Sequence, residues 1–164
     1  MENHQRQFRR VRLELPTTAA RVSLDERRDE GTGFSMAWKA ACWARLRDGD
    51  RALRCLSNLV AMQTCPNLFS KCFCAPQVDG ALGAAAIAEM LVQSHAGGID
   101  LLPALPAAWR AGGRLASLRA RGGFVVDVEW EDGRVVKYRI AGGYGRPVVT
   151  RINGEQIWGA PEPS

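Results

Sequence analysis

Apolar and polar positions recur with two different periods in this chain, and the change of period divides it. From Gly31 onward Phe34, Ala37, Trp38, Ala41, Cys42, Arg45 and Leu46 follow three- and four-residue spacing. That spacing predicts a helix, with Thr32 and Ser35 as candidate caps near its start. Trp43 lies nine positions beyond Phe34, about 180° round at 100° per residue, so this helix carries large apolar groups on opposite sides and is expected to pack between two neighbours. The polar link Arg47-Asp48-Gly49-Asp50 is short enough for a helix hairpin. Asp50 is the candidate cap of a second helix with Leu53, Leu56, Leu59 and Val60 as its face. A loop from about Gln63 to Gly80, carrying Pro66 and Pro76, leads to a third helix from Ala81 with the stripe Ala84, Ile87, Ala88, Leu91 and Ser94. Its stop is His95-Ala96-Gly97-Gly98, where a glycine can take the left-handed cap.

From Leu115 the period becomes two. Phe124, Val126, Val128 and Trp130 face one way, Glu131-Asp132-Gly133 turns the chain, and Val136, Tyr138 and Ile140 return. Two strands alone are marginal, so Leu115–Ala120 and Pro147–Ile152 are expected to add strands to a small antiparallel sheet or half-sandwich. The fold class is therefore α+β. Residues 1–30 read as a weakly ordered basic tail, 31–98 as a helical segment, 99–113 as a connector with Pro103 and Pro106, and 114–154 as a β domain.

Composition narrows the function. The 164 residues are 46% apolar, enough for one ordinary core, which excludes a disulfide scaffold and a disordered tail. The net charge of +5 comes from 22 basic against 17 acidic residues, and residues 1–28 alone hold seven Arg against four acids. The basic excess is mostly terminal, with no cationic patch interleaved with aromatics, so no nucleic-acid partner is expected. No run reaches the roughly 18 consecutive apolar residues of a membrane span, and no uncharged stretch follows the start as in a secretion signal. No membrane partner is expected, and the chain as written reads as cytoplasmic, although a full-length relative could be exported. Five cysteines, Cys42, Cys55, Cys65, Cys72 and Cys74, are an odd number and fit free thiols in a reducing compartment.

The candidate chemistry is sparse. Cys65, Cys72 and Cys74 share one loop, but structural zinc wants two clusters of paired ligands and His95 is over 20 residues away. No metal or cofactor is expected. A catalytic thiol would need a neighbouring base, and His4 and His95 are the only histidines. Asp79 and Gly80 lie just before the third helix, where an Asp ordinarily caps. The positive end of the helix dipole there favours an ionised carboxylate. Glu89 reads as a solvated or paired helix position, and Trp38 and Trp130 as core.

A series of segments then arrives in a recognisable order. Gly31-Thr32-Gly33-Phe34-Ser35-Met36-Ala37-Trp38-Lys39 and Trp43–Ala52 come first, followed by Pro66-Asn67-Leu68-Phe69 and Gln77-Val78-Asp79-Gly80. Ile87–His95, Leu101-Leu102-Pro103-Ala104-Leu105-Pro106 and Arg119–Phe124 complete the series. Over about Ser23 to Val149 the chain resembles the C-terminal part of glycoside hydrolase family 95, the α-L-fucosidases. The resemblance implies the end of a catalytic (α/α) barrel followed by a C-terminal β domain. Twelve helices of ordinary length would need on the order of 200 residues or more, so the helices here make an incomplete barrel.

The resemblance also implies hydrolysis of terminal α-L-fucosides with inversion, Asp79 as a carboxylate of the water-activating side, and Gln77 as a substrate contact. The family's general-acid Glu, its water-positioning asparagines and its His-Arg-His segment match nothing in this chain. Ala81 and Leu82 replace the usual Asn and Phe, and Lys71–Pro76 replaces the His-Pro-Pro-Phe run. Trp38, Trp43, Trp109 and Trp130 could stack on sugar, although periodicity assigns two of them to the core. The expectation is a fucosidase-like piece inactive alone, whose ligand, once an upstream barrel completes it, is a fucosylated glycan. Two alternatives stand beside it: a non-catalytic carbohydrate-binding or assembly partner for another chain's barrel, and a gene remnant. Nothing in the sequence separates α-L-fucose from α-L-galactose, or fixes the oligomeric state.

Overall fold

The computed structural model describes residues 17–67, 69–71 and 79–159. Four helices come first: α1 over 17–26, α2 (Gly33–Arg45), α3 (Gly49–Asn58) and α4 (Asp79–Leu91). Seven strands follow, β1 (Val92–Gln93), β2 (Ile99–Leu101), β3 (Gly112–Ala120), β4 (Phe124–Glu131), β5 (Arg134–Gly142), β6 (Val148–Ile152) and β7 (Glu155–Gly159). No helix among the described residues is long and apolar enough to cross a membrane.

The helices meet on small side chains. α2 buries Met36, Ala37, Lys39, Ala40, Trp43 and Ala44, α3 buries Ala52, Cys55 and Leu56, and α4 buries Ala86 and Met90. Alanine at these positions lets helix backbones approach closely, and the bulk that periodicity places in the core lies outside it. Phe34 is 57%, Trp38 42%, Ile87 40% and Val60 67% exposed. The expected stripes hold only in part: Ala37, Leu56, Leu59 and Leu91 are buried, but Trp43 rather than Trp38 is core and Leu53 is only half buried.

The α2–α3 hairpin forms as expected, with a different cap. Asp48, not Asp50, accepts a hydrogen bond from the Arg51 amide at 3.1 Å, the bond that an N-cap carboxylate supplies. Asp50 reaches across to the Ala107 amide at 2.7 Å. Gly49 cannot be replaced freely, because a Cβ there would lie 2.1 Å from the Ala104 carbonyl oxygen.

Residues 17–30, read from sequence as part of a weakly ordered tail, are instead folded onto the helices, and residues 1–16 lie outside the described part. Leu24 is buried, and the Arg21 guanidinium donates to the Leu46 carbonyl at 2.6 Å and pairs with Asp48 at 3.3 Å. Buried Lys39 donates through Nζ to the carbonyls of Arg28 at 2.7 Å and Glu30 at 2.5 Å. Asp29 pairs with Arg51 at 3.0 Å. The arginines that look like a solvated charge run become anchors because α2 and α3 present carboxylates and carbonyls to them, or turn an indole face to them. Trp43 lies beneath the guanidiniums of Arg51 at 4.4 Å and Arg21 at 5.8 Å.

The third helix ends at Leu91, before the predicted stop, since Val92 and Gln93 turn into β1 and pair antiparallel with β2. Ser94 therefore leaves the helical stripe. The 99–113 stretch is more than a connector: Ile99–Leu101 is a strand, parallel to β6, in a sheet of order β1-β2-β6-β7. β3, β4 and β5 form a second, antiparallel sheet. Phe124, Val126, Val128 and Trp130 of β4 are buried as the alternation predicts, and they meet Ile99, Leu101 and Ile152 of the first sheet. On β5 only Ile140 and Ala141 are buried; Tyr138 is 42% and Val136 57% exposed. The pairing shifts register between Glu129 and Trp130, so Val136 falls at the irregularity. Pro147–Ile152 joins the other sheet from the one expected, and β7 extends the β region past residue 154. Its hairpin turns at Asn153 (φ 51°) and Gly154 (φ 88°), both left-handed as a type I′ turn requires.

Candidate functional site

Asp79 opens α4, and the structure fixes that helix from the far end. The Leu91 carbonyl accepts from the Leu102 amide at 2.7 Å and the Met90 carbonyl from the Ala104 amide at 3.1 Å. The Leu101–Pro106 segment thus satisfies carbonyls that a helix end leaves open. Buried Gln93 donates through Nε2 to the Ala44 carbonyl at 2.7 Å and the Glu89 carbonyl at 3.0 Å. Arg45 grips Glu89 in two bonds, Nε to Oε2 at 2.5 Å and Nη2 to Oε1 at 2.7 Å. Near the first turn, a Cβ on Gly83 would meet Leu59 at 3.3 Å and Leu56 at 3.4 Å. Half-buried Leu82 packs on Met36, Ala37 and Leu59, the place where the resemblance expects an aromatic ring.

The Asp79 side chain and all of Gln77 lie outside the described residues, as do Cys72 and Cys74. Glu89 is ten residues further along the same helix, about 15 Å at 1.5 Å per residue, too far to share one glycosidic bond with Asp79. Its ion pair with Arg45 gives it the structural part that the sequence suggests.

Cys42 and Cys55 have no activated character. Cys55 is buried, its Sγ 3.7 Å from Asp29, and burial with the Asp29 charge pushes the thiol up to about 11. Burial also raises half-buried Cys42, with Arg45 opposing. A raised thiol is the reverse of what a nucleophile or metal ligand needs. His95 is held below its usual range by desolvation and the nearby Arg45. Among the described residues no three His, Cys, Asp or Glu side chains converge on a possible metal position.

Two concave surfaces stand out. One, of about 550 Å³, lies between α1, α2 and α4, with Leu24, Trp38, Cys42, Leu46, Leu82 and Ala85 among its walls. It is mainly apolar, and the exposed face of Trp38 belongs to it. The other, on the β domain, includes Trp158 of β7, a residue the sequence reading passed over. The Asn153-Gly154 pair is the signal that would have found that hairpin.

Comparison with known proteins agrees with this division of the chain. Residues 5–91 match the Glycosyl hydrolase family 95 catalytic domain, and residues 93–158 match the Glycoside hydrolase family 95, C-terminal domain. The boundary falls where α4 gives way to β1. An Arabidopsis thaliana protein named Alpha-L-fucosidase 2 is 40% identical over 131 residues, which cover 73% of this chain and 16% of that protein. Probable alpha-fucosidase A of Aspergillus niger is 36% identical over 122 residues, covering 66% of this chain and 15% of the relative. Its namesake from Aspergillus oryzae is 32% identical over 140 residues, or 74% and 19%. The chain spans less than a fifth of the length of these relatives. Matching both domain types in family order, it belongs to glycoside hydrolase family 95 as a short C-terminal segment.

Proposed function

We propose that this chain supplies the closing helices, a water-activating carboxylate and the C-terminal β domain of an inverting α-L-fucosidase, and that it turns over no substrate until the rest of the barrel joins it. Inversion needs one carboxylic acid to protonate the leaving oxygen and a second carboxylate, roughly 6.5–9.5 Å away, to draw a proton from water on the opposite face of the sugar. Asp79 takes the second role. It heads a helix whose dipole favours the ionised form, in the Gln77-Val78-Asp79-Gly80 segment that resembles the family's, with Gln77 as a substrate contact. The first role falls to a residue from the missing helices, since Glu89 is engaged by Arg45.

The observation that carries the reading is the seating of α4. The Leu91 and Met90 carbonyls, Gln93 and Glu89 are all held, so the helix that Asp79 opens is seated from its far end by the protein itself. The apolar groove beside Trp38 supports the need for partner helices, because monomeric proteins seldom leave such a surface open. That groove equally favours a second reading, an assembly or carbohydrate-binding partner without catalysis of its own. The two part on one experiment. The purified chain and a fusion, in which this chain replaces the matching segment of the Arabidopsis thaliana relative, are assayed on a fucosyl-α-1,2-galactoside and its α-L-galactosyl counterpart. A silent chain and an active fusion are expected. Turnover by the purified chain alone that disappears in Asp79→Asn would overturn the proposal, and a folded but silent fusion would favour the non-catalytic partner.

A further inference from the structure

The second concave surface, on the β domain, plays no part in the reading above. It encloses about 330 Å³ between the turn that follows β1, the β3–β4 turn, the start of β6 and the end of β7. That is the lower end of the range for small-molecule sites, about 300–1,000 Å³, and suits one or two sugar rings.

Three observations distinguish it from ordinary surface. Trp158 lines it and is 69% exposed, standing opposite Val149 in the β6–β7 pairing. An indole this open offers a flat face to the C–H face of a pyranose. Among the described residues, Arg121 and Arg146 also line it, no acidic side chain does, and neither arginine has a carboxylate partner. Arg146 does have neighbours: its Nε donates to the Gly143 carbonyl at 3.3 Å and its guanidinium lies 5.7 Å from the Tyr144 ring centre. Nearby Arg47 and Arg151 show the contrast, since both pair with buried Asp100, at 2.8 and 2.7 Å. Finally, the groove lies open at Gly97, where a Cβ would meet nothing within 4 Å. Tyr144, 88% exposed, continues the aromatic surface beyond Arg146.

An uncompensated pair of guanidiniums beside an open indole calls for a ligand with both an apolar ring face and an anion that accepts two or more N–H bonds. We propose that this groove is a glycan-binding subsite for a pyranoside bearing a carboxylate, a uronic acid unit of an oligosaccharide, with Trp158 stacked on the ring and Arg121 and Arg146 on the carboxylate. The subsite needs neither Asp79 nor the missing helices, so it stands or falls separately from the catalytic reading.

The test titrates the full chain with trigalacturonate and with neutral galactotriose, followed by calorimetry and by the Trp158 indole N–H resonance. The trigalacturonate is expected to bind about tenfold or more tightly than the neutral trimer, and Arg121→Ala and Arg146→Ala each to weaken it by a similar factor. Trp158→Ala should weaken both sugars, with the fold of each variant checked by its amide spectrum. All three side chains lie at the surface of the groove, and Arg121→Lys and Arg146→Lys provide milder replacements should an alanine variant misfold. Failure of trigalacturonate to bind at about 10 mM would overturn the proposal. So would equal binding of the neutral trimer, or binding that survives the combined loss of Arg121 and Arg146.

Discussion

The helical half and the β half of this chain build their buried seams differently. Among the helices the buried seam is largely alanine, with Ala37, Ala40, Ala44, Ala52 and Ala86 at its centre, while Phe34, Trp38, Val60 and Ile87 look outward. In the β half the order is the usual one: Phe124, Val126, Val128 and Trp130 point in, with Val125, Asp127 and Glu129 between them. A sandwich of two sheets completes its own core. The helices meet on alanine and leave Phe34, Trp38, Val60 and Ile87 at the surface, the face that the proposed function would cover with further helices. The difference lies in the buried seam: small side chains let helices approach, and large ones fill the space between sheets.

Breaking that comparison begins with two tryptophans. Trp130→Ala removes a buried ring whose Nε1 donates to the Trp109 carbonyl at 2.8 Å, and should cost about 3–5 kcal/mol in denaturant unfolding. Trp38→Ser, on the open groove, should change stability by no more than about 0.5 kcal/mol, and should reduce any self-association that sedimentation detects in the unmutated chain. Equal losses at the two positions would erase the distinction between the halves.

Smaller effects sharpen it. Gly49→Ala forces a Cβ against the Ala104 carbonyl and should cost about 1–3 kcal/mol, read as a lowered denaturant midpoint. Lys39→Met leaves the carbonyls of Arg28 and Glu30 without their donor, so a loss of about 1–3 kcal/mol is expected, with faster amide exchange through 17–30. The smallest effect is a pH dependence at Cys55. Its folded thiol holds the proton to about 11 against an ordinary value of 9.0. The unfolded chain therefore releases that proton first as pH rises. This contribution to stability is intact below about pH 9 and falls away between 9 and 11. Cys55→Ser should flatten that part of the stability–pH curve.

How much of this was legible follows from the kind of signal each element carries. The β4 alternation was clear because a strand with one buried face has only two ways to lie, and Phe124 through Trp130 choose between them. The helix faces were legible only as helices. Large apolar residues stand on both sides of α2, so a stripe drawn through Phe34 and Trp38 picks the more exposed side while Trp43 is buried. The 17–30 anchor was hidden since its stabilising bonds, from Lys39 and Arg51, are made by residues distant in sequence. The parallel pairing of β2 with β6 spans about fifty residues and leaves no local trace. Of the site, Asp79 and Gln77 came through resemblance alone, and Arg121, Arg146 and Trp158 meet only when two sheets are brought together.

The central claim, that Asp79 is the water-activating carboxylate of a completed fucosidase, is tested most directly by kcat in the fusion with the Arabidopsis thaliana relative's upstream segment. Asp79→Asn should lower kcat by about 10² to 10⁴ while the fusion stays folded, and Cys72→Ser with Cys74→Ser should leave it nearly unchanged. Loss of activity in the cysteine variants with Asp79→Asn unaffected would contradict the account and move the chemistry from carboxylate to thiol.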